Sequence, residues 1–246
     1  VQHHEGLILF TGPTGMGKST SLASMIQYIN DTKSESMVTL EDPIEFLFPR
    51  GKGIIRQRQL GTDFMSFPEA LKRVLRQDPN IVMIGEMRDA ETFSAALTLA
   101  ETGHLILGTL HTPNTIQAID RIIDVFPADQ QNKVRATLSE ALKGVVAKNL
   151  FKRIDKPGRV AVHDIMVNTP SISALIRDNK TFRIPSDQQT GAKYGMKTLD
   201  QGLVDWYRKG RIARDEVINR CIDSQAIIGK LAEVEAKMAE EKEKES

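Results

Sequence analysis

The sequence predicts an α/β fold: a mainly parallel sheet flanked by helices, followed by a helical C-terminal region. Three observations carry that expectation. Strand-like apolar runs alternate with helix-spaced segments from Leu7 to about Leu110. The first run, Gly6-Leu7-Ile8-Leu9-Phe10-Thr11, passes straight into a glycine loop and then into an apolar-periodic helix at Ser21–Ile26. Past Thr115 the texture becomes mostly helical. Strands interleaved with helices bury their apolar faces best as a sheet covered on both sides.

The elements follow in chain order. Met37-Val38-Thr39-Leu40 is a short apolar strand that meets a loop at Glu41-Asp42-Pro43. Gly53 to Arg58 reads as another strand, expected in a small hairpin with the segment around Phe46–Phe48. Phe67 to Arg76 has helical spacing at Ala70, Leu71, Val74 and Leu75, with Ser66 and Pro68 at its start. Ile81-Val82-Met83-Ile84 is apolar on both faces, as a central parallel strand is. A helix over Thr92–Glu101 precedes the buried strand Leu105–Leu110. Helical patterns are expected through Lys148, then one late strand at Val160–Met166. Further helices are expected over Ser171–Asn179, Thr198–Lys209 and Arg214–Arg220. Lys230 to Ser246 is a Glu/Lys/Ala run with few large apolar residues, which reads as a solvated, fraying helix.

Composition narrows the class. The chain has 246 residues, enough for a substantial core, and its 40% apolar and 26% charged residues are ordinary for a globular protein. A formal net charge of +1 argues against a strongly basic nucleic-acid binder, and no basic stripe with interleaved aromatics appears. The single cysteine, Cys221, excludes a disulfide framework and a cysteine zinc site, and fits a reducing cytosol. No run of about 18 apolar residues exists to insert into a bilayer.

Chemistry concentrates in four segments. Gly12-Pro13-Thr14-Gly15-Met16-Gly17-Lys18-Ser19 matches G-x-x-x-x-G-K-S/T, the Walker A phosphate loop, in the strand–loop–helix setting that it needs. Its backbone N–H groups and the following helix N-terminus direct positive charge at an anion, so Thr14, Gly15, Met16, Gly17, Lys18, Ser19 and Thr20 are the candidate nucleotide-binding residues. Lys18 is expected to reach the β- and γ-phosphates of ATP, and the Ser19 hydroxyl to ligate Mg²⁺. Val82–Glu86 ends an apolar strand in a carboxylate, the Walker B pattern, and makes Glu86 a second candidate metal or catalytic group. Thr39–Phe46 places Glu41, Asp42 and Glu45 after another strand, where a carboxylate can orient or deprotonate the attacking water. Gly103–Thr112 brackets a strand with two histidines: His111 is the candidate γ-phosphate sensor, while His104 reads as structural or at a subunit contact. Arg58, with Arg56 second, is a candidate to cross an oligomer interface and stabilise transition-state charge.

GPTGMGKST, TLEDPIEF, VMIGEMRD and TGHLILGTLHT together resemble, in order, the Walker A, Asp, Walker B and His boxes of the type II/IV secretion ATPases. Arg121–Pro127 and Gly195–Asp200 are similar to the type IV pilus retraction branch, and the resemblance runs from Gly6 to about Asp223. Extension and type II secretion members commonly carry a four-cysteine zinc module, which a chain with only Cys221 cannot build. Retraction members carry an Ala-Ile-Arg-Asn-Leu-Ile-Arg-Glu helix. Ser171–Asp178 keeps Ile172, Leu175, Ile176 and Arg177 of it, with Ser173 in place of the first Arg and Asp178 in place of Glu. Met16 stands where the phosphate loop usually has Ser, and Gln59 where the arginine segment usually has Glu.

The resemblance implies a RecA-like P-loop NTPase core over residues 1–168, a helical C-terminal subdomain over 169–229 with the retraction-type helix, and a charged tail over 230–246. It implies a Mg-ATP-hydrolysing homohexamer, cytoplasmic and peripheral at the inner membrane, that drives pilus retraction through a membrane platform protein. An accessory motor subunit working with a paralogous ATPase, and a secretion or extension ATPase, are the alternatives. Glu41 is expected as the base and Glu86 as support for the metal or its water, although the sequence alone does not divide these roles. The family resembled also has an N-terminal PAS-like domain of roughly one hundred residues. This chain starts just after where that domain would end, so ATP hydrolysis by the chain alone is expected to be poor.

Overall fold

The computed structural model describes residues 3–245; Val1, Gln2 and Ser246, the last residue of the predicted tail, lie outside the described residues. Among the described residues, strands β1 (Gly6–Thr11), β2 (Ser36–Glu41), β3 (Ile54–Gln59), β4 (Ile81–Ile84), β5 (Leu105–Thr109), β6 (Leu142–Lys152) and β7 (Arg159–Val167) form one sheet in the order β3-β2-β4-β5-β1-β6-β7. All neighbouring pairs are parallel except β6 with β7. The central strands are buried on both faces, which is why they read as continuous apolar runs rather than as alternating ones.

Alternation along each strand divides the core. Leu7 and Leu9 of β1, with Val38, Leu40, Val82, Ile84 and Ile106, face helices α2 (Phe67–Val74), α3 (Ala90–Glu101), α4 (Thr115–Asp124), α5 (Ala128–Ala141) and α6 (Pro170–Arg177). Phe10, Met37, Ile81, Met83, Leu105 and Leu107 face the other way, onto Leu22, Ile26 and Ile29 of α1 (Lys18–Thr32). Each of these fully buried aliphatic side chains stabilises the packing by about 1.5–3 kcal/mol, which fixes α1 and the loop feeding it. A third cluster joins Phe151, Val160 and Val162 to helices α8 (Leu199–Arg208), α9 (Arg214–Arg220) and α10 (Ser224–Glu245).

Two expectations are corrected. Residues 54–59 form no hairpin with Phe46–Phe48; β3 pairs parallel to β2, from Ser36 opposite Ile54 to Glu41 opposite Gln59. Pro43, Pro49, Gly51 and Gly53 break any strand in the connection. The segment is instead pinned by the Gln57 side chain, which donates to the Phe46 carbonyl at 2.8 Å, and by Asn30, which donates to the Pro49 carbonyl at 2.9 Å. The second correction is β6. The helical texture expected through Lys148 stops at Ala141, and the chain turns extended at Leu142 with no intervening loop. From Val145 on, burial alternates with period two: Val145, Ala147, Asn149 and Phe151 are buried, and the residues between them are not.

Helix α6 covers most of the predicted Ser171–Asn179 helix and buries Ile172 and Ile176. Ser173 donates to the Ser139 carbonyl of α5 at 2.7 Å. Below it, buried Asp164 of β7 accepts from the Thr115 amide at 3.0 Å and from Gln188 of α7 (Ile184–Thr190), so one carboxylate ties the start of α4 to the C-terminal helices. Burial pushes its carboxyl upward from the ordinary value. The predicted solvated tail is anchored at its start: Leu231 is buried, and Glu235 accepts from Tyr207 at 2.8 Å and Arg214 at 2.9 Å.

Candidate nucleotide site

The site grows out of the end of β1. Gly12, at φ 143°, lies so close to β6 that a Cβ there would come within 2.4 Å of the Lys148 carbonyl oxygen; only glycine lets the chain pass. Gly15 and Gly17 also have positive φ, and Gly17 caps α1 without any side-chain hydrogen bond. The first-turn amides of α1 are therefore not consumed by a capping side chain, nor does an acid neutralise that turn.

Lys18 is buried, 8% exposed, and donates to the Gly12 and Pro13 carbonyls at 2.6 and 3.1 Å. Burial lowers its pKa, partly countered by the carboxylates of Glu86 and Glu45. Its ammonium also lies 3.3 Å from Nδ1 of His111, whose Nε2 is 3.1 Å from Glu86 Oε1. One neutral tautomer satisfies both contacts: Nδ1 accepts from the ammonium and Nε2–H donates to the carboxylate. Arg88 holds the other oxygen of Glu86 at 2.5 Å and, as the largest influence, pulls that carboxyl below its usual range. Lys18, His111, Glu86 and Arg88 thus form one continuous polar chain across the ends of β4 and β5.

Glu41, the last residue of β2, is buried and accepts on one oxygen from Thr39 at 2.7 Å and Gln57 at 3.1 Å. Ser19 donates to Glu45 at 3.1 Å. The sheet delivers all of these to a cavity of about 620 Å³ lined by Thr14, Gly15, Gly17, Lys18, Ser19, Thr20, Glu41, Asp42, Glu45, Glu86 and His111, among others. Among the residues singled out from sequence, Met16, Arg56 and Arg58 are not among those lining it. The Met16 sulfur turns to β6 and accepts the Leu150 amide at 3.3 Å. Arg56 and Arg58 sit on β3, one of the sheet's two edge strands, and Arg58 reaches Gln77 at 3.4 Å. His104 is buried, with Nδ1 3.1 Å from the Leu99 carbonyl, a structural placement.

The structure adds Lys148 and Arg159 to the lining. Lys148 donates to the Gly17 carbonyl at 3.2 Å and to Ser21 Oγ at 2.9 Å, and burial lowers its pKa. The alternation that sets Lys148 toward the loop is one of burial and not of residue type, since Asn149 is buried while Val146 and Leu150 are only half-buried, so the sequence carried no period-two signal for it.

The sequence model of the type II/IV secretion system protein family matches residues 1–164. A twitching motility protein of Neisseria gonorrhoeae is 49% identical over 90% of this chain and 59% of its own length. A type IV pilus retraction ATPase, PilT, of Pseudomonas aeruginosa is 50% identical over 85% of this chain and 61% of its own. The chain therefore spans about six-tenths of the length of these relatives. A crystal structure of the pilus retraction motor PilT with bound ADP superposes with a TM-score of 0.84 at 44% identity, covering 90% of this chain and 63% of that one.

Proposed function

The chain belongs to the type II/IV secretion system protein family, and we propose that it acts as a Mg-ATP-hydrolysing motor for type IV pilus retraction, assembled as a homohexamer. The observation that carries this is the convergence of Lys18, Ser19, Glu41, Glu86 and His111 on one cavity from the ends of four parallel strands. The retraction assignment rests on the relatives named above and on the partial retraction-type helix, now α6. Residues 1–168 then serve as the ATPase core, 169–229 as the helical subdomain and 230–246 as a charged tail.

In this reading the loop amides and Lys18 hold the phosphates. Hard oxygen donors fit Mg²⁺: the Ser19 hydroxyl lies 3.1 Å from Glu45, and Glu41, Asp42 and Glu86 line the same cavity. When bound, the metal would neutralise charge on the β- and γ-phosphate oxygens. Glu41 is the proposed base, because a carboxylate held by Thr39 and Gln57 is fixed in place to orient water. Glu86 is proposed to support the metal side, and His111, which bridges Lys18 to Glu86, is proposed to register the γ-phosphate by exchanging one of those partners. Arg58, on an exposed-edge strand, is proposed to serve a neighbouring protomer. Among the described residues no helix is long and apolar enough to cross a membrane, so contact with the inner-membrane pilus platform is proposed as peripheral.

Phosphate release by the full chain with Mg-ATP, compared with Lys18→Ala, tests the reading. The variant is expected to fall to background; a rate unaffected by it would overturn the site assignment.

A further inference from the structure

The cavity has two chemically different sides. Glu41, Asp42, Glu45 and Glu86, the carboxylates in its lining, come from the β2, β4 and β5 side of β1. On the other side of β1 lies β6, pressed so closely on the loop that the Lys148 carbonyl is the atom that excludes any side chain at Gly12. We propose that Lys148 is a second phosphate-binding lysine, contacting the nucleoside-proximal phosphates from the side of the loop opposite the acids. This rests on the nucleotide reading of the cavity and adds to it a residue and a place.

Four observations support it. Lys148 is half-buried in the cavity lining, yet makes no ion pair among the described residues. Its ammonium donates to two neutral oxygens, Gly17 O and Ser21 Oγ, which leaves one of its three N–H groups for a further acceptor. Burial lowers its pKa, so an anion arriving there relieves a standing electrostatic cost. Helix geometry then sets which phosphates it meets. Ser19 and Ser21 are two residues apart on α1, about 200° around the axis, so Lys148 approaches the side of the helix away from Ser19 and Glu45. Lys18 and Ser19 take the β- and γ-phosphate end, which leaves the α- and β-phosphates for Lys148.

The rival explanation is a purely structural tie between β6 and the first turn of α1. Lys148→Gln keeps an N–H donor but removes the charge, Lys148→Arg keeps the charge, and Lys18→Ala is the control for the site. The test measures Kd for a fluorescent ADP analogue, and for ATP by competition, together with the melting temperature of each unliganded protein. Lys148→Gln is expected to weaken ADP and ATP equally, by about fivefold to tenfold, as for loss of one charge-assisted hydrogen bond. Lys148→Arg should bring both back to within about twofold, since the guanidinium restores charge and donors. Unchanged affinity in Lys148→Gln, with or without a lower melting temperature, overturns the proposal while leaving the nucleotide reading intact. A loss confined to ATP overturns the placement at the proximal phosphates. No binding by the unaltered chain overturns both the reading and the proposal.

Discussion

The acidic and basic walls of the phosphate loop are built by different means. On the acidic wall, β2, β4 and β5 each run parallel into the site and release a functional side chain at or just past the carboxyl end: Glu41, Glu86 and His111. On the basic wall, Lys148 projects from the middle of β6, a strand that continues past the loop and turns back antiparallel as β7. Both halves of the sheet finish at an edge strand: the acidic half at β3, and the basic half at β7, whose face α8 covers with Gly202 against Val162. The difference teaches that the acidic half is chemically rich but open at β3, while the basic half has its face covered by the chain's own C-terminal helices.

Arg58 gives the largest expected effect and tests that openness. Removing a charge-stabilising arginine costs about 10³-fold or more in related phosphoryl transfer. Arg58→Ala should lower phosphate release by that order while leaving ADP affinity unchanged, because the side chain is not among the residues lining this chain's own cavity. Mixing Arg58→Ala with Lys18→Ala protein should restore part of the activity, since a site with an intact loop can then meet a neighbour with an intact arginine. Failure of the mixture to exceed either variant would break the assignment to a neighbour's site.

Glu86 comes next. Glu86→Gln keeps the shape of the His111 and Arg88 contacts but removes the charge, so hydrolysis should fall about a hundredfold, the lower range for a lost general acid–base or metal-orienting carboxylate. ADP binding should hold within about threefold, because the loop and Lys18 remain. An equal loss of both would merge the two walls into a single binding surface and remove the distinction between them.

The same contrast explains what the sequence disclosed. The phosphate loop, the acids and His111 were legible because parallel strands buried on both faces are unbroken apolar runs, and each run is followed at once by its functional residue. β3 was legible as a strand but not as a partner of β2, because parallel pairing is decided by the register of residues some twenty positions apart. Lys148 was illegible for a different reason. Leu138, Ala141, Leu142 and Val145 satisfy a helical spacing across the junction where α5 becomes β6, so the change of period at Leu142 was hidden. Met16 was legible as a loop residue, but its sulfur contact with the Leu150 amide depends on the position of β6 and could not be read locally.

The smallest effect separates electrostatic tuning from structure on the acidic wall. Arg88 is 73% exposed on its side chain and touches the cavity only through Glu86, whose carboxyl it holds low by hydrogen bonding. In Arg88→Ala that carboxyl should rise, since burial, which pushes the other way, remains. If hydrolysis requires ionised Glu86, the acid limb of the pH–rate profile moves to higher pH, while the rate on the alkaline plateau changes by about twofold at most. The stability effect has a defined sign. A carboxylate lowered in the folded state contributes stability above its unfolded pKa and loses it as pH falls through the folded one. The wild-type chain should therefore exceed Arg88→Ala in urea resistance at neutral pH by less than about 1 kcal/mol, given the exposure of the pair, and the gap should close in acid. A gap that persisted below the folded pKa would mean that Arg88 acts through packing rather than charge. An acid limb that stayed in place would remove Glu86 as the group that sets it.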